Sequence, residues 1–110
     1  MTRLFDWLFA FAFTQVVEVP IYRRALGDRR WATAIAFGAS ALTHPVVWFV
    51  FPRLFAHYLT MVVAAEVFAW LVEAAYLRAF GLRRALWWSF VSNGASFSLG
   101  LLSRALFGRP

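Results

Sequence analysis

Four apolar runs, each long enough to cross a bilayer, take up most of this chain. They are "LFDWLFAFAFTQVVEVPIY" at 4–22, "WATAIAFGASALTHPVVWFVFP" at 31–52, "YLTMVVAAEVFAWLVEAAYL" at 58–77 and "ALWWSFVSNGASFSLGLLS" at 85–103. Each has 19 to 22 residues. At ~1.5 Å of rise per residue, that length spans ~30 Å of hydrocarbon as a helix. The links between runs are short, so consecutive helices pack as antiparallel neighbours. The expected fold is all-α: an integral membrane four-helix bundle in a single transmembrane domain of 110 residues. Composition agrees, with 15% of residues charged against ~25% in a soluble domain. Asp6 interrupts the first run and no small-residue cleavage site follows it. That stretch therefore reads as a span and not as a signal peptide.

The net charge of +6 comes from eleven arginines. In a soluble chain such a charge points to nucleic acid. Here the arginines fall between apolar runs, where they set topology and meet anionic lipid headgroups. Arg23, Arg24, Arg29 and Arg30 lie in one link and Arg78, Arg83 and Arg84 in another. Four spans place both links on one side, against Arg3, Arg53, Arg104 and Arg109 on the other. The positive-inside rule then puts the Arg-rich loops in the cytoplasm and both termini outside, in a bacterial inner membrane. Tyr22, Trp31, Tyr76, Trp87 and Trp88 form the inner aromatic belt, and Trp7, Trp48 and Tyr58 the outer one. The chain has no cysteine, so disulfides and thiolate chemistry are excluded.

The end of the first run, "VEVPIYRRALGDRR" at 17–30, is echoed by "VEAAYLRAFGLRR" at 72–84, with one gap. "FGAS" at 37–40 is echoed by "NGAS" at 93–96. These echoes indicate a duplicated helical hairpin, both copies entering the membrane in the same direction. Chance similarity among apolar residues is the competing explanation.

Glu18, Glu66 and Glu73 fall inside the runs. Even the mildest scale charges ~2.5–3.5 kcal/mol for a central acid, so such a group faces the interior, finds a partner or takes up a proton. Glu18 and Glu73 are each four residues from the inner end of their run, where Arg23, Arg24 or Arg78 are potential partners. Glu66 lies deeper and has no arginine on its own helix within reach. In the second run Pro45 lacks an N–H and is expected to break or kink the helix. His44 beside it can bond the freed backbone, accept a proton from Glu66 or bind a metal. Ser89, Asn93, Ser96, Gly100 and Ser103 form one face of the fourth run, a pattern that close helix packing also explains. Thr14, Gln15 and Glu18 form one face of the first. The sequence thus permits an interior cluster of Glu18, Glu66, Glu73, His44 and Asn93. No nucleophile, dinucleotide or phosphate-loop motif occurs, the carboxylates match no specific metal spacing, and no cofactor is implied.

The order "TQVVEVPIY", "THPVVWF", "EVFAWLVEAAY", "SFVSNGASFSLGLL" resembles a family of small, uncharacterised bacterial membrane proteins with four spans. In that family a Glu-x-Pro ends the first span, a Thr-Asn-Pro breaks the second, paired Glu residues mark the third and an Asn-x-x-Ser marks the fourth. The likeness covers most of the chain and departs at His44, where the pattern has Asn. It implies a fold and no activity.

Besides an intramembrane enzyme or metal-binding protein using His44 with Glu66 or Glu73, for which the usual motifs are missing, two functions are consistent with these features. One is proton- or cation-linked transport through the carboxylate cluster. The other is a structural or accessory subunit whose acids hold the bundle together or pair with a larger membrane complex. An interior this small also points to association with a second copy or a partner membrane protein.

Overall fold

The computed structural model describes residues 2–107, with backbone alone for Thr2, Arg3 and Phe107. Arg109 and the side chain of Arg3, both used in the arginine count, lie outside the described residues. Five helices follow one another: α1 Thr2–Leu26, α2 Ala32–Phe49, α3 Phe51–Leu54, α4 Tyr58–Ala79 and α5 Ala85–Phe107. No strand occurs among the described residues. The long helices form an all-α bundle 39 Å in its longest dimension, which suits the ~40–45 Å of a bilayer with its headgroups.

Three stretches are both long and apolar enough to span a membrane: Leu4–Leu26, Ala32–Leu54 and Tyr58–Ala79. Helix α5 has 23 residues and is not among these stretches. Ser89, Ser92 and Asn93 are turned inward and buried, while Leu86, Trp87, Phe90, Leu102 and Leu106 are exposed. Its outer surface is therefore apolar.

The helices extend beyond the apolar runs at the Arg-rich end, because glycine and not proline stops them. Gly27 adopts φ 63° and Gly81 φ 88°, a left-handed conformation open to glycine at little cost. Gly27 N–H donates to the Arg23 carbonyl at 3.1 Å. After α4, Gly81 N–H reaches Arg78 O at 2.9 Å and Leu82 N–H reaches Leu77 O at 3.1 Å, the paired bonds of a Schellman cap. Pro20 lies inside α1 and does not end it. Glu18 is therefore eight residues before the end of α1 and Glu73 six before the end of α4, or ~12 and ~9 Å along the axis. Both sit deeper than their positions in the apolar runs imply.

Pro45 is likewise inside a continuous helix, and the expected break there is not found. The interruption falls at Val50, where α2 gives way to the short α3. Pro52 accounts for it, since its ring nitrogen has no hydrogen to offer Trp48 O and its ring crowds that carbonyl.

Around the bundle α1 packs on α2 and α5, and α4 packs on α2 and α5, so α1 and α4 are diagonal. Small residues line the seams, with Ala36, Ala39, Ser40, Ser89 and Ser92 almost fully buried, which lets the backbones approach closely. The continuous core sits at the Arg-rich end. It comprises Tyr22, Leu26, Ile35, Ala36, Leu77, Leu82 and Ala85 with their neighbours. Arg29 ties this end across its two loops, donating to Leu26 O and Gly81 O, each at 2.9 Å. Arg23 donates to Gly27 O and Thr33 Oγ1.

Candidate functional site

On α1 the spacing of Gln15, Glu18, Tyr22 and Leu26 defines one helical face, and all four are buried. On α4 the same face carries Ala69, Glu73 and Leu77. Because α1 and α4 are diagonal, Glu18 and Glu73 meet at the bundle axis, within hydrogen-bonding reach of each other. Each is 1% exposed, so neither is solvated as an interfacial acid is.

Their other partners are hydroxyls and one amide. Ser40 Oγ donates to Glu18 Oε1 at 2.6 Å and Ser96 Oγ to Glu18 Oε2 at 2.5 Å. Thr43 Oγ1 donates to Glu73 Oε2 at 2.6 Å. Tyr22 OH donates to Glu73 Oε1 at 2.6 Å, and Asn93 Nδ2 donates to the same oxygen at 3.2 Å. None of these donors is an arginine, so pairing with Arg23, Arg24 or Arg78 does not account for the two acids. Four carboxyl oxygens receive five neutral donors from three helices. Such donors offset part of the desolvation cost and orient the oxygens without supplying a counter-charge.

The pair forms the floor of a cavity of about 240 Å³. Thr14, His44, Glu66 and Phe97 line its walls, and Tyr58 and Arg104 stand at its mouth. Tyr58 begins α4 and Arg104 is near the end of α5, so the cavity opens toward the end of the bundle that carries the termini. At the other end the helices close on the buried Tyr22–Leu26–Leu77–Leu82 core.

Glu66 belongs to the cavity wall, half-buried, and no hydrogen bond from the described residues reaches it. His44 has a partner that none of the expectations named. Trp7 Nε1 donates to His44 Nδ1 at 3.0 Å, and the ring stacks on Trp48 at 6.2 Å with Phe11 against its edge. That bond engages one ring nitrogen as an acceptor and leaves the other as its only free position. Among the described residues no three His, Asp or Glu side chains gather as a metal-binding group.

Of the residues read from the sequence, Glu18, Glu73 and Asn93 come together, and Glu66 and His44 share their cavity at a distance. Pro45 is next to the site but does not open the helix. Trp70 is at the α4–α5 seam, where its Nε1 donates to Leu86 O at 2.8 Å. The arginines of the loops are exposed and away from the cluster. Three members were missed: Tyr22, Ser40 and Thr43. Tyr22 was placed in the aromatic belt, yet it is fully buried. Its spacing of four from Glu18 was the signal that puts both on one face. Ser40 and Thr43 share a helical face at a spacing of three by the same rule.

No protein-family model, curated protein or solved structure matches this chain.

Proposed function

We propose that this chain is a four-span inner-membrane protein that takes up and releases a proton or cation at the Glu18–Glu73 pair, as one step of transport. The observation that carries the reading is the pair itself: two buried carboxyls within hydrogen-bonding reach of each other, with neutral donors and no arginine on their oxygens, lining one cavity. Two adjacent negative charges in a medium of low dielectric repel strongly, so a carboxyl pair is stable when it shares a proton or a cation. Hydroxyl neighbours suit that exchange, because an O–H can donate to a carboxylate or turn its lone pair toward a carboxylic acid.

The arginine bias supports cytoplasmic Arg-rich loops and external termini, with α5 as the fourth span through its apolar outer face. The loops would then meet anionic headgroups. Duplication of a hairpin is supported by the two glycine-capped helix ends and by Glu18 accepting from Ser40 and Ser96, the serines of the two "GAS" echoes. The resemblance to small four-span bacterial proteins rests on the same residues. Association with a second copy or a partner membrane protein fits the small interior.

The test is flux into liposomes containing the purified protein under an imposed pH gradient or sodium gradient. Wild type is expected to carry protons or the cation. Glu73→Gln, which keeps an acceptor oxygen for Tyr22 and presents an N–H that the Thr43 hydroxyl can turn to accept, is expected to reduce that flux about tenfold or more, as loss of a titrating group in a relay does. Equal flux in wild type and Glu73→Gln rejects the reading. A stable partner that co-purifies with a flux-silent wild type favours the accessory role instead.

A further inference from the structure

The central cavity is one of three that meet at the same two side chains. A second, in a groove between α4 and α5, is lined by Val62, Val63, Val67, Trp70 and Phe90. A third lies under the mouth, against Pro52, Met61 and Arg104. Glu66 and Phe97 are walls of all three. An acid with no hydrogen-bond partner among the described residues therefore stands where a bilayer-facing groove joins the interior, with an aromatic ring beside it.

We propose that this junction is a binding site for a hydrophobic monocation, an amine or ammonium carrying an apolar body, which enters from the bilayer between α4 and α5 and pairs with Glu66. The inference shares the cavity with the transport reading but rests on Glu66 and not on the carboxyl pair.

Three observations set the class of ligand. First, about 240 Å³ is far more than a bare ion requires, given ~30 Å³ per water, and approaches the ~300 Å³ at which small-molecule pockets begin. Second, the charges that line the interior are Glu18, Glu66 and Glu73, and the one arginine on the walls is Arg104 at the mouth. The interior favours a cation, while the water-side entrance repels one. The α4–α5 groove has no charged wall other than Glu66, so a cation taking that route must be lipophilic. Third, the route has physical room. A side chain added at Gly94 of α5 would meet no atom within 4 Å. Phe97 offers its ring to the apolar body, and an aromatic face attracts a nearby cation.

The experiment measures equilibrium binding of three probes to the whole protein in phosphatidylcholine nanodiscs, with empty nanodiscs as the partition control. The probes are 2-phenylethylamine, 2-phenylethanol and phenylacetate, which share a ring and differ in charge. Saturable binding of the amine is expected, with the alcohol and the anion at least about tenfold weaker, as for a single partly desolvated charge pair. Glu66→Gln is expected to bring the amine down to the level of the alcohol. That side chain has no partner to lose, so helicity by circular dichroism should be unchanged. Gly94→Leu fills the groove and is expected to slow association of the amine while leaving the carboxyl pair and its flux intact. Equal binding of the three probes, or amine binding by Glu66→Gln at the wild-type level, overturns the site. Unchanged association in Gly94→Leu overturns the lateral route. A protein that carries protons but binds no amine loses this inference and keeps the carboxyl-pair reading. One that binds the amine through Glu66 with no flux does the reverse.

Discussion

The two ends of the bundle are built on opposite plans. At the Arg-rich end Tyr22, Leu26 and Leu77 are fully buried, the helices finish in glycine caps and Arg29 bridges the loops. At the end carrying the termini, Tyr58, Leu59, Leu101 and Leu102 are exposed and a cavity runs down to the acids. The difference shows that the carboxyl pair is a boundary: packing stabilises one side of it and access is available on the other. A fold held together evenly would not leave its most costly groups at the junction of a dense core and a void.

The contrast can be broken most severely with a single residue type placed at each end. Leu77→Ala empties a site in the dense core and is expected to cost ~2–5 kcal/mol, whereas Leu101→Ala at the open end should cost under ~1 kcal/mol. Unfolding in sodium dodecyl sulfate followed by circular dichroism compares them, and similar losses would remove the distinction between the ends. Next comes a pair of glycines from the two echoes. At Gly38 of α2 an added Cβ would collide with the Tyr76 hydroxyl, which bonds Ile35 O at 3.0 Å. Gly38→Ala must displace that ring and is expected to cost ~1–3 kcal/mol. Gly94→Ala meets open space and is expected to stabilise α5 by up to ~1 kcal/mol. The same unfolding assay checks the sign of each, and opposite signs are the requirement.

A pair of tyrosines tests the boundary itself. Tyr22→Phe keeps the buried ring and removes the donor to Glu73, for an expected loss of ~1–3 kcal/mol. Tyr58→Phe at the mouth is expected to change stability by less than ~0.5 kcal/mol. If the two substitutions behave alike, Tyr22 contributes packing only and the hydrogen bond at 2.6 Å carries little.

Much of this was legible in the residues. Apolar runs separated by short arginine links fixed the helical class, and spacing on α1 and α5 turned Gln15, Glu18, Ser89 and Asn93 inward. What was not legible followed from helix ends. Reading Tyr22 as the end of the first span placed it at an interface. The chain instead passes through Pro20 and stops one turn later at a glycine cap, which moves Tyr22 into the core and Glu18 to mid-depth. Pro45 misled in the same way: a proline inside a packed bundle leaves one carbonyl without its donor but does not oblige the helix to open. His44 could not be placed from sequence because its partner, Trp7, is 37 residues away. The meeting of Glu18 and Glu73 depends on which helices are diagonal, and short links constrain neighbours only.

The central claim, one-sided access to the carboxyl pair, is open to a direct measurement because the chain contains no cysteine of its own. Val47 lines the cavity, so Val47→Cys puts a thiol in it, and a thiol reacts only where water lets it ionise. In sealed proteoliposomes of defined orientation, a membrane-impermeant thiol reagent added on the side of the termini is expected to modify Val47→Cys, and the same reagent added on the side of the Arg-rich loops is not. Modification from the loop side, or from neither side, would contradict the account.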